Sequence, residues 1–301
     1  MQIRALIYFD ELVRTKSMRQ AAENLGVAPT AVSRQIENLE EHFGAALVER
    51  SARGVTLTAA GELLAARAGR TLRELEHVQQ LIEDLKGIAR GRVTIYANGA
   101  IVTSLLAPAL SEFSRSFPNI RFEVMITSAR QAIEAVNAAQ ADMALTLFAP
   151  PMSEAKVVTR FEIAYDVIVS ARHAAAGRKE ITLRELARDT LALPEKSFGF
   201  RQSFDALIER QGLTIDPVFT VSSLEMLKEL VLSDSAVTLL PALAVRREIE
   251  AGQLAAIPLS SETSIRTHVA LSIAPDRQLS FAAGKLIGFI ENFMRTKLKS
   301  R

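Results

Sequence analysis

At 301 residues the chain is long enough for two or three domains, and 49% hydrophobic with 23% charged side chains is the composition of a folded protein, not a disordered, collagenous or wholly coiled-coil one. It contains 0 cysteines, which excludes a disulfide scaffold, a thiolate zinc site and a thiol nucleophile, and suits a reducing cytosol. The net charge of +2 comes from 36 basic and 34 acidic residues, with 12 of each in residues 1–90, so any nucleic-acid binding has to rest on where charges sit.

Ile3, Leu6, Ile7, Phe9, Leu12 and Val13 share one helical stripe and predict a first helix. Ser17-Met18-Arg19-Gln20 has the form of a capping box and opens a short helix that ends near Gly26. Pro29 suits the first turn of a third helix running to Phe43, with Val32, Ile36, Leu39 and Phe43 turned inward. Between Gly44 and Thr58 the period changes to two, which predicts a small hairpin. A long helix follows to about Lys86. Its Leu64, Ala68, Thr71, Leu75, Val78, Ile82 and Leu85 are spaced as a heptad seam that needs a partner to cover it. After Gly91 strands and helices alternate. Strands are expected at 93–97, 122–127 and 143–148, with helices near 101–116 and 129–140, forming a parallel α/β sheet. A second set adds strands near 163–170, 218–221, 236–240 and 268–273 and helices near 182–188, 201–211, 223–232 and 280–298, enough for two small α/β lobes.

Two short helices joined by a Gly-containing turn and followed by a hairpin describe a winged helix-turn-helix, although a plain three-helix bundle carries the same pattern. A third helix that enters DNA needs polar and basic groups opposite its apolar stripe, and Thr30, Ser33, Arg34 and Asn38 supply them. The acids Glu37, Glu40 and Glu41 come later, where the helix leaves the groove.

The phrase Ala21-Ala22-Glu23-Asn24-Leu25-Gly26-Val27-Ala28-Pro29-Thr30-Ala31-Val32-Ser33-Arg34-Gln35-Ile36, followed by Leu39-Glu40, Leu47-Val48-Glu49-Arg50 and Leu57-Thr58-Ala59-Ala60-Gly61, closely resembles the LysR-type transcriptional regulators. Looser likenesses are Phe117-Pro118-Asn119-Ile120 and Ala141-Asp142-Met143-Ala144-Leu145. The resemblance implies a winged helix-turn-helix over 1–58, a dimerising linker helix over 59–90 and a two-lobed effector domain over 91–301, akin to periplasmic binding proteins. Lobe I would take about 91–161 and 266–301, and lobe II about 162–265. The resemblance also implies a homodimer or homotetramer on double-stranded promoter DNA, with RNA polymerase reading out the switch. It places Ala28, Pro29, Thr30, Ser33 and Arg34 at the major groove, Arg50 near phosphate and Arg53 in the wing at the minor groove. Arg34 is the strongest candidate, because arginine grips guanine O6 and N7 bidentately. Two departures stand out. Ala28-Pro29-Thr30 replaces the family's Ser-Gln-Pro, removing a Ser cap and a Gln contact, and Lys16 stands where Gly is common.

In lobes of this kind ligands sit where strand ends meet helix starts, and helix N-termini favour an anion. The effector candidates are Asn98, Gly99 and Ala100, then Ser128, Ala129 and Arg130, then Phe148, Phe198 and Arg201, then Ser222 and Ser223. Ser222-Ser223-Leu224-Glu225 also reads as a capping box, so Ser222 is expected either to cap the helix alone or to contact the ligand. Arg130 and Arg201 are expected to clamp a small anionic metabolite or to lie in solvent. No cofactor is expected.

Catalysis has little footing. Ser153 to Lys156 matches S-x-x-K without its companion triplets, the four histidines are scattered, and no phosphate-binding glycine motif occurs. The chain therefore does not read as an enzyme. No basic-then-apolar leader opens it, and uncharged stretches such as 97–110 are too short to span a bilayer, so it reads as cytoplasmic. The competing reading is a cytosolic solute-binding module whose helical N-terminus merely dimerises and which has no specific DNA site.

Overall fold

A computed structural model describes residues 3–51, 54–85, 90–147, 154–196 and 198–298, without the side chains of Arg50 and Ser51. The contacts divide into two compact units, Met1–Gly87 and Ile88–Arg301.

In the first unit α1 (Ile3–Thr15), α2 (Met18–Leu25) and α3 (Pro29–Phe43) enclose a core of Leu6, Phe9, Leu12, Ala21, Ala22, Val32, Ile36 and Leu39. Gly26 and Gly44 end α2 and α3 in the left-handed region, at φ 66° and 64°, where a side chain is strained. Ser17 caps α2 by accepting from the Gln20 N–H at 3.3 Å. The reciprocal half of the expected box is missing, because the Gln20 amide bonds forward to Asn24 instead. Phe43 corrects another expectation. It is 47% exposed, being the last residue of α3 beside the Gly44 cap.

The hairpin pairs β1 (Val48–Ser51) with β2 (Gly54–Leu57), Val48 opposite Leu57. Then α4 (Ala59–Leu85) runs out of the core. Its first half is covered by its own unit, with Ala68 buried and Leu64 and Leu72 packed on the core. In its second half Leu75, Val78, Ile82 and Leu85 are exposed.

The second unit holds β3 (Gly91–Ala97), α5 (Gly99–Ile101), a π-helical turn (Val102–Leu106), α6 (Ala107–Ser116), β4 (Ile120–Ile126), α7 (Ala129–Asn137) and β5 (Met143–Leu147). The single helix expected near 101–116 is thus interrupted. Pro108 in the first turn of α6 has no N–H to return to the preceding turn, which widens. Next come β6 (Lys156–Ser170), α8 (Leu183–Leu186), β7 (Ala192–Pro194), α9 (Gly199–Arg210), β8 (Phe219–Val221), α10 (Leu224–Leu232) and β9 (Thr238–Leu240). A 3-10 turn (Ala242–Val245), α11 (Arg246–Glu250), β10 (Leu254–Pro258), β11 (Ile265–Ile273) and α12 (Phe281–Leu298) complete it.

The expected parallel sheet of three strands forms, and antiparallel strands extend it. Strand β3 pairs parallel with β4 and β5, but β11 joins β5 antiparallel and β6 joins β11 antiparallel. The sheet order is β10-β6-β11-β5-β3-β4, with β9 also on β6. At 15 residues β6 serves two cores. Its first part pairs with β11 as far as Tyr165 opposite Ile265, and its last part pairs with β9 and β10. One core gathers Val93, Ile95, Phe113, Leu145, Leu271 and Leu286, the other Val167, Val169, Leu193, Phe204 and Leu239. Strands β7 and β10 escape the sequence pattern. The first is three residues long, and the second, Leu-Ala-Ala-Ile-Pro, lacks alternation and ends in a proline tolerated only at a sheet edge. Among the described residues no helix is long and apolar enough to cross a membrane.

Candidate DNA-binding face and effector site

The start of α3 is built without a side-chain cap. Ala28 occupies the cap position in extended conformation and offers no acceptor, while Pro29 fills the first turn. Pro29 brings no N–H, and the Ala31 N–H donates to the Ala28 carbonyl at 2.9 Å, so the backbone and not a side chain closes the first turn. Ala28, Pro29, Thr30 and Arg34 are exposed, and Ser33 is half-buried. Arg34 makes no hydrogen bond or ion pair among the described residues, so its guanidinium is unclaimed.

The three acids of α3 behave differently from one another. Glu37 reaches back along the exposed face, and the Ser33 hydroxyl donates to it at 2.9 Å, so acid lies closer to the polar start of the helix than its position alone implies. Glu41 is exposed. Glu40 turns toward the hairpin, where one carboxylate oxygen accepts the Leu47 N–H at 2.8 Å and the Val48 N–H at 3.2 Å.

The hairpin is fixed at both ends. Thr58 donates its N–H to the Leu47 carbonyl at 3.1 Å and its hydroxyl to the Ala46 carbonyl at 2.6 Å. On the other strand the Val55 N–H donates to the Lys16 carbonyl at 3.1 Å. Lys16 sits at φ 54°, in the left-handed region, which explains why glycine suits this position. The Arg50 backbone lies in β1 opposite Val55, whereas its side chain and all of Arg53 fall outside the described residues.

In the second unit the effector candidates form two groups. At the carboxyl ends of β3, β4 and β5 the Asn98 side chain ties three segments, accepting from the Leu147 N–H at 2.7 Å and donating to the Thr127 carbonyl at 3.3 Å. Its amide is thus a strut. Gly99 and Ala100 follow in α5, and Ala100 packs against the Val93 and Ile95 core and against a smaller cluster of Ile168, Val231 and Leu240. Ser128 caps α7 by accepting from the Gln131 N–H at 3.3 Å, Ala129 is half-buried in the first turn, and Arg130 is exposed. Phe148 lies outside the described residues.

The second group surrounds β7 and β8. Phe198 is the half-buried cap residue of α9. Arg201 is only 6% exposed and already engaged, its Nε donating to Asp205 at 2.7 Å and its Nη1 to the Pro194 carbonyl at 3.2 Å. Ser223, not Ser222, caps α10, by accepting from the Met226 N–H at 3.3 Å. The frame is one residue later than the expected box, the residue at its third position is Met226, and Ser222 is exposed. Among the described residues no hydrogen bond or ion pair joins the two groups.

Thr146, absent from the sequence-derived set, lies one residue beyond the Ala97–Leu145 pair and alongside Asn98. It is 0% exposed and its hydroxyl has no partner among the described residues, as is true of Ser272 on the same sheet face. A buried unpaired hydroxyl is costly, so such groups mark strain or a place where a ligand or water completes the bonding. Its signal in the sequence is one Thr inside the apolar run Met143–Leu147.

Comparison with known proteins adds an independent line. The family profile of the bacterial regulatory helix-turn-helix protein, lysR family, matches residues 3–62, and that of the LysR substrate binding domain matches residues 86–295. The HTH-type transcriptional regulator CysL of Bacillus subtilis (strain 168) is 29% identical over 80% of this chain and 81% of its own. The RuBisCO operon transcriptional regulator of Allochromatium vinosum is 27% identical over 96% of this chain and 95% of its own. Among solved structures, a full-length point variant of OxyR from Pseudomonas aeruginosa superposes with a TM-score of 0.71 at 21% identity, covering 98% of this chain and 95% of its own. Full-length CbnR, solved with its target DNA, has a TM-score of 0.71 at 19% identity over 99% and 100% of the two chains. At such identities these structures speak for the fold.

Proposed function

This chain belongs to the LysR family of bacterial transcriptional regulators, and on that premise we propose how it reads DNA and what controls it. Two α3 helices related by a two-fold axis enter successive major grooves of an interrupted inverted repeat in promoter DNA. The exposed seam Leu75, Val78, Ile82 and Leu85 on α4 pairs with its copy to hold them. Two such dimers make the tetramer, which works in the cytoplasm beside RNA polymerase. Ala28, Pro29, Thr30, Ser33 and Arg34 form the major-groove face, Arg50 meets phosphate and Arg53 the minor groove. The observation that carries this reading is the unclaimed Arg34 guanidinium on the exposed face of a helix whose N-terminus has no cap. A gel-shift assay of the full chain on the DNA upstream of its own coding sequence, against a random duplex, tests it. Arg34→Ala should lower affinity for the upstream DNA selectively, by about 1–3 kcal/mol, whereas Arg50→Ala should weaken both duplexes and reduce the salt slope by about 1. Unchanged binding by Arg34→Ala would remove the recognition-helix assignment.

For control, a small anion bound at the carboxyl ends of β3 to β5 meets the first-turn amides of α7, the Ser128 cap, Arg130 and the unpaired Thr146 hydroxyl. Gly99, Ala100, Phe198, Ser222 and Ser223 are the further candidates for its lining. Arg201, engaged with Asp205, serves to orient α9 and is not the anion clamp. The ligand acts by binding one arrangement of the lobes more tightly than the other, since equal affinity shifts nothing. Calorimetry with a panel of small mono- and dicarboxylates tests this reading. Arg130→Ala and Thr146→Val should each weaken the binding found, and undiminished binding by both would exclude the site.

A further inference from the structure

We propose that Glu40 is a positioning residue that sets the distance between the recognition helix and the wing, so that one rigid body delivers contacts to both grooves. This rests on the reading that the wing touches DNA. The recognition helix carries Arg34 on its outer face and, six residues on, Glu40 on the side facing the hairpin. The Glu40 carboxylate accepts the N–H groups of two consecutive residues, Leu47 and Val48, at the point where β1 begins. Leu47 is buried, so its N–H needs a protein partner, and a charged acceptor forms the stronger kind of bond.

The same root is held from the opposite side. The Leu47 carbonyl accepts from Thr58, and Gly61 of α4 approaches that oxygen so closely that a Cβ there would lie 1.9 Å from it. The root of β1 is therefore gripped between α4 and one side chain of α3, and Glu40 is the tie that α3 supplies. An acid on a DNA-binding helix ordinarily weakens binding by repulsion. Here the carboxylate is turned onto two backbone dipoles and holds a DNA-contacting element in register.

Dimethyl sulphate footprinting of the full chain on the upstream duplex reads both grooves at once, because it methylates guanine N7 in the major groove and adenine N3 in the minor groove. Glu40→Ala removes the acceptor, and Glu40→Asp keeps the charge but withdraws it by about 1.5 Å, one carbon–carbon bond. Both should lose adenine N3 protection at the wing, keep guanine N7 protection under α3, bind about tenfold more weakly and show a smaller salt slope. Glu40→Gln, which retains an acceptor of the same reach, should restore the minor-groove protection and stay within about threefold of the parent.

Tighter binding by Glu40→Ala and Glu40→Gln, with Glu40→Asp like the parent, would show a repelling acid and overturn the proposal. Parallel loss of both protections in Glu40→Asp, tracking a lowered thermal midpoint, would show a role in folding alone and equally overturn it. Should Glu40→Ala not fold, the contrast between Asp and Gln decides the matter. Arg53→Ala, at the wing residue assigned to the minor groove, separates the premises. If it leaves slope and minor-groove protection unchanged, the wing contact fails and Glu40's role with it; if it lowers both while Glu40→Asp does not, only Glu40's role fails.

Discussion

Gly61→Ala sets two effects of opposite sign against each other. In an open helix the change stabilises, because glycine is about 1 kcal/mol worse than alanine in a helix interior. Gly61 lies in the first turn of α4, but an added Cβ would stand 1.9 Å from the Leu47 carbonyl oxygen, 3.0 Å from its carbon and 3.3 Å from the Leu57 Cβ. Relief requires the β1 root to retreat by about 1.4 Å to reach an ordinary carbon–oxygen separation. That retreat stretches the Thr58 bond to Leu47 and, on the opposite side, pushes the Leu47 and Val48 N–H groups out of alignment with Glu40. Two to three weakened hydrogen bonds at about 1 kcal/mol each, with about 1–3 kcal/mol for overpacking, outweigh the helical gain and leave a net loss of about 2–5 kcal/mol. For a unit of this size that corresponds to a fall of roughly 8–40 °C in the midpoint of the N-terminal unit. Scanning calorimetry of the full chain measures it. Gly284→Ala in α12, where nothing lies within 4 Å of the added carbon, is the matched control and should raise the midpoint of the second unit. An unchanged or raised N-terminal midpoint in Gly61→Ala would refute the close approach.

Other expectations follow from single sites. Lys16→Gly should stabilise the first unit by up to about 1 kcal/mol, since relief of the left-handed backbone at φ 54° exceeds the added chain entropy; Lys16→Ala, which loses the same charge without relieving φ, should not, and equal midpoints for the two would count against strain. The Glu185 carboxyl, held by the Thr182 N–H, Arg178 and the Thr182 hydroxyl, has its pKa lowered from 4.5 to about 2. Its stabilising effect is complete above its unfolded pKa and is lost as pH falls toward 2, so a carboxyl NMR titration with a midpoint near 4.5 would contradict this geometry. Lys228, 9% exposed, bridges α10 to Glu248 of α11 at 2.6 Å and to Glu225 at 3.3 Å. Lys228→Ala strands the Glu248 charge and should cost roughly 2–4 kcal/mol in urea unfolding, whereas Lys228→Met with Glu248→Leu should come close to neutral; equal costs would mean that packing, not charge, dominates.

The first unit was almost wholly legible in the amino-acid order, because its elements are local. Apolar spacing marks α1 and α3, Gly26 and Gly44 mark the ends of α2 and α3, and Pro29 marks a helix start, each acting within a few residues. The second unit was legible in its longer elements and not in its pairing. The three residues of β7 form a strand only because β8 lies beside them, and the β6 run is divided between two cores by what packs on it, which no local pattern encodes.

The site divides along the same line. Sequence by itself determined that α3 presents Thr30, Ser33 and Arg34 opposite an apolar stripe, since helical geometry converts spacing directly into faces. It also determined the LysR likeness, through motifs that are contiguous. Tertiary structure alone decided which polar groups are already engaged. Arg201 is bound to Asp205, Asn98 braces three strand ends, the α10 cap is Ser223, and Thr146 is buried with an unpaired hydroxyl. Glu40 shows the difference most plainly. Its place on the helix announces an acid near DNA, and only the return of the chain at Leu47 and Val48 turns that acid into the support of the wing. Spacing determines the face on which a side chain starts; the partner it reaches depends on segments brought to it by folding, and that partner sets whether its charge is exposed to a ligand or absorbed by the backbone.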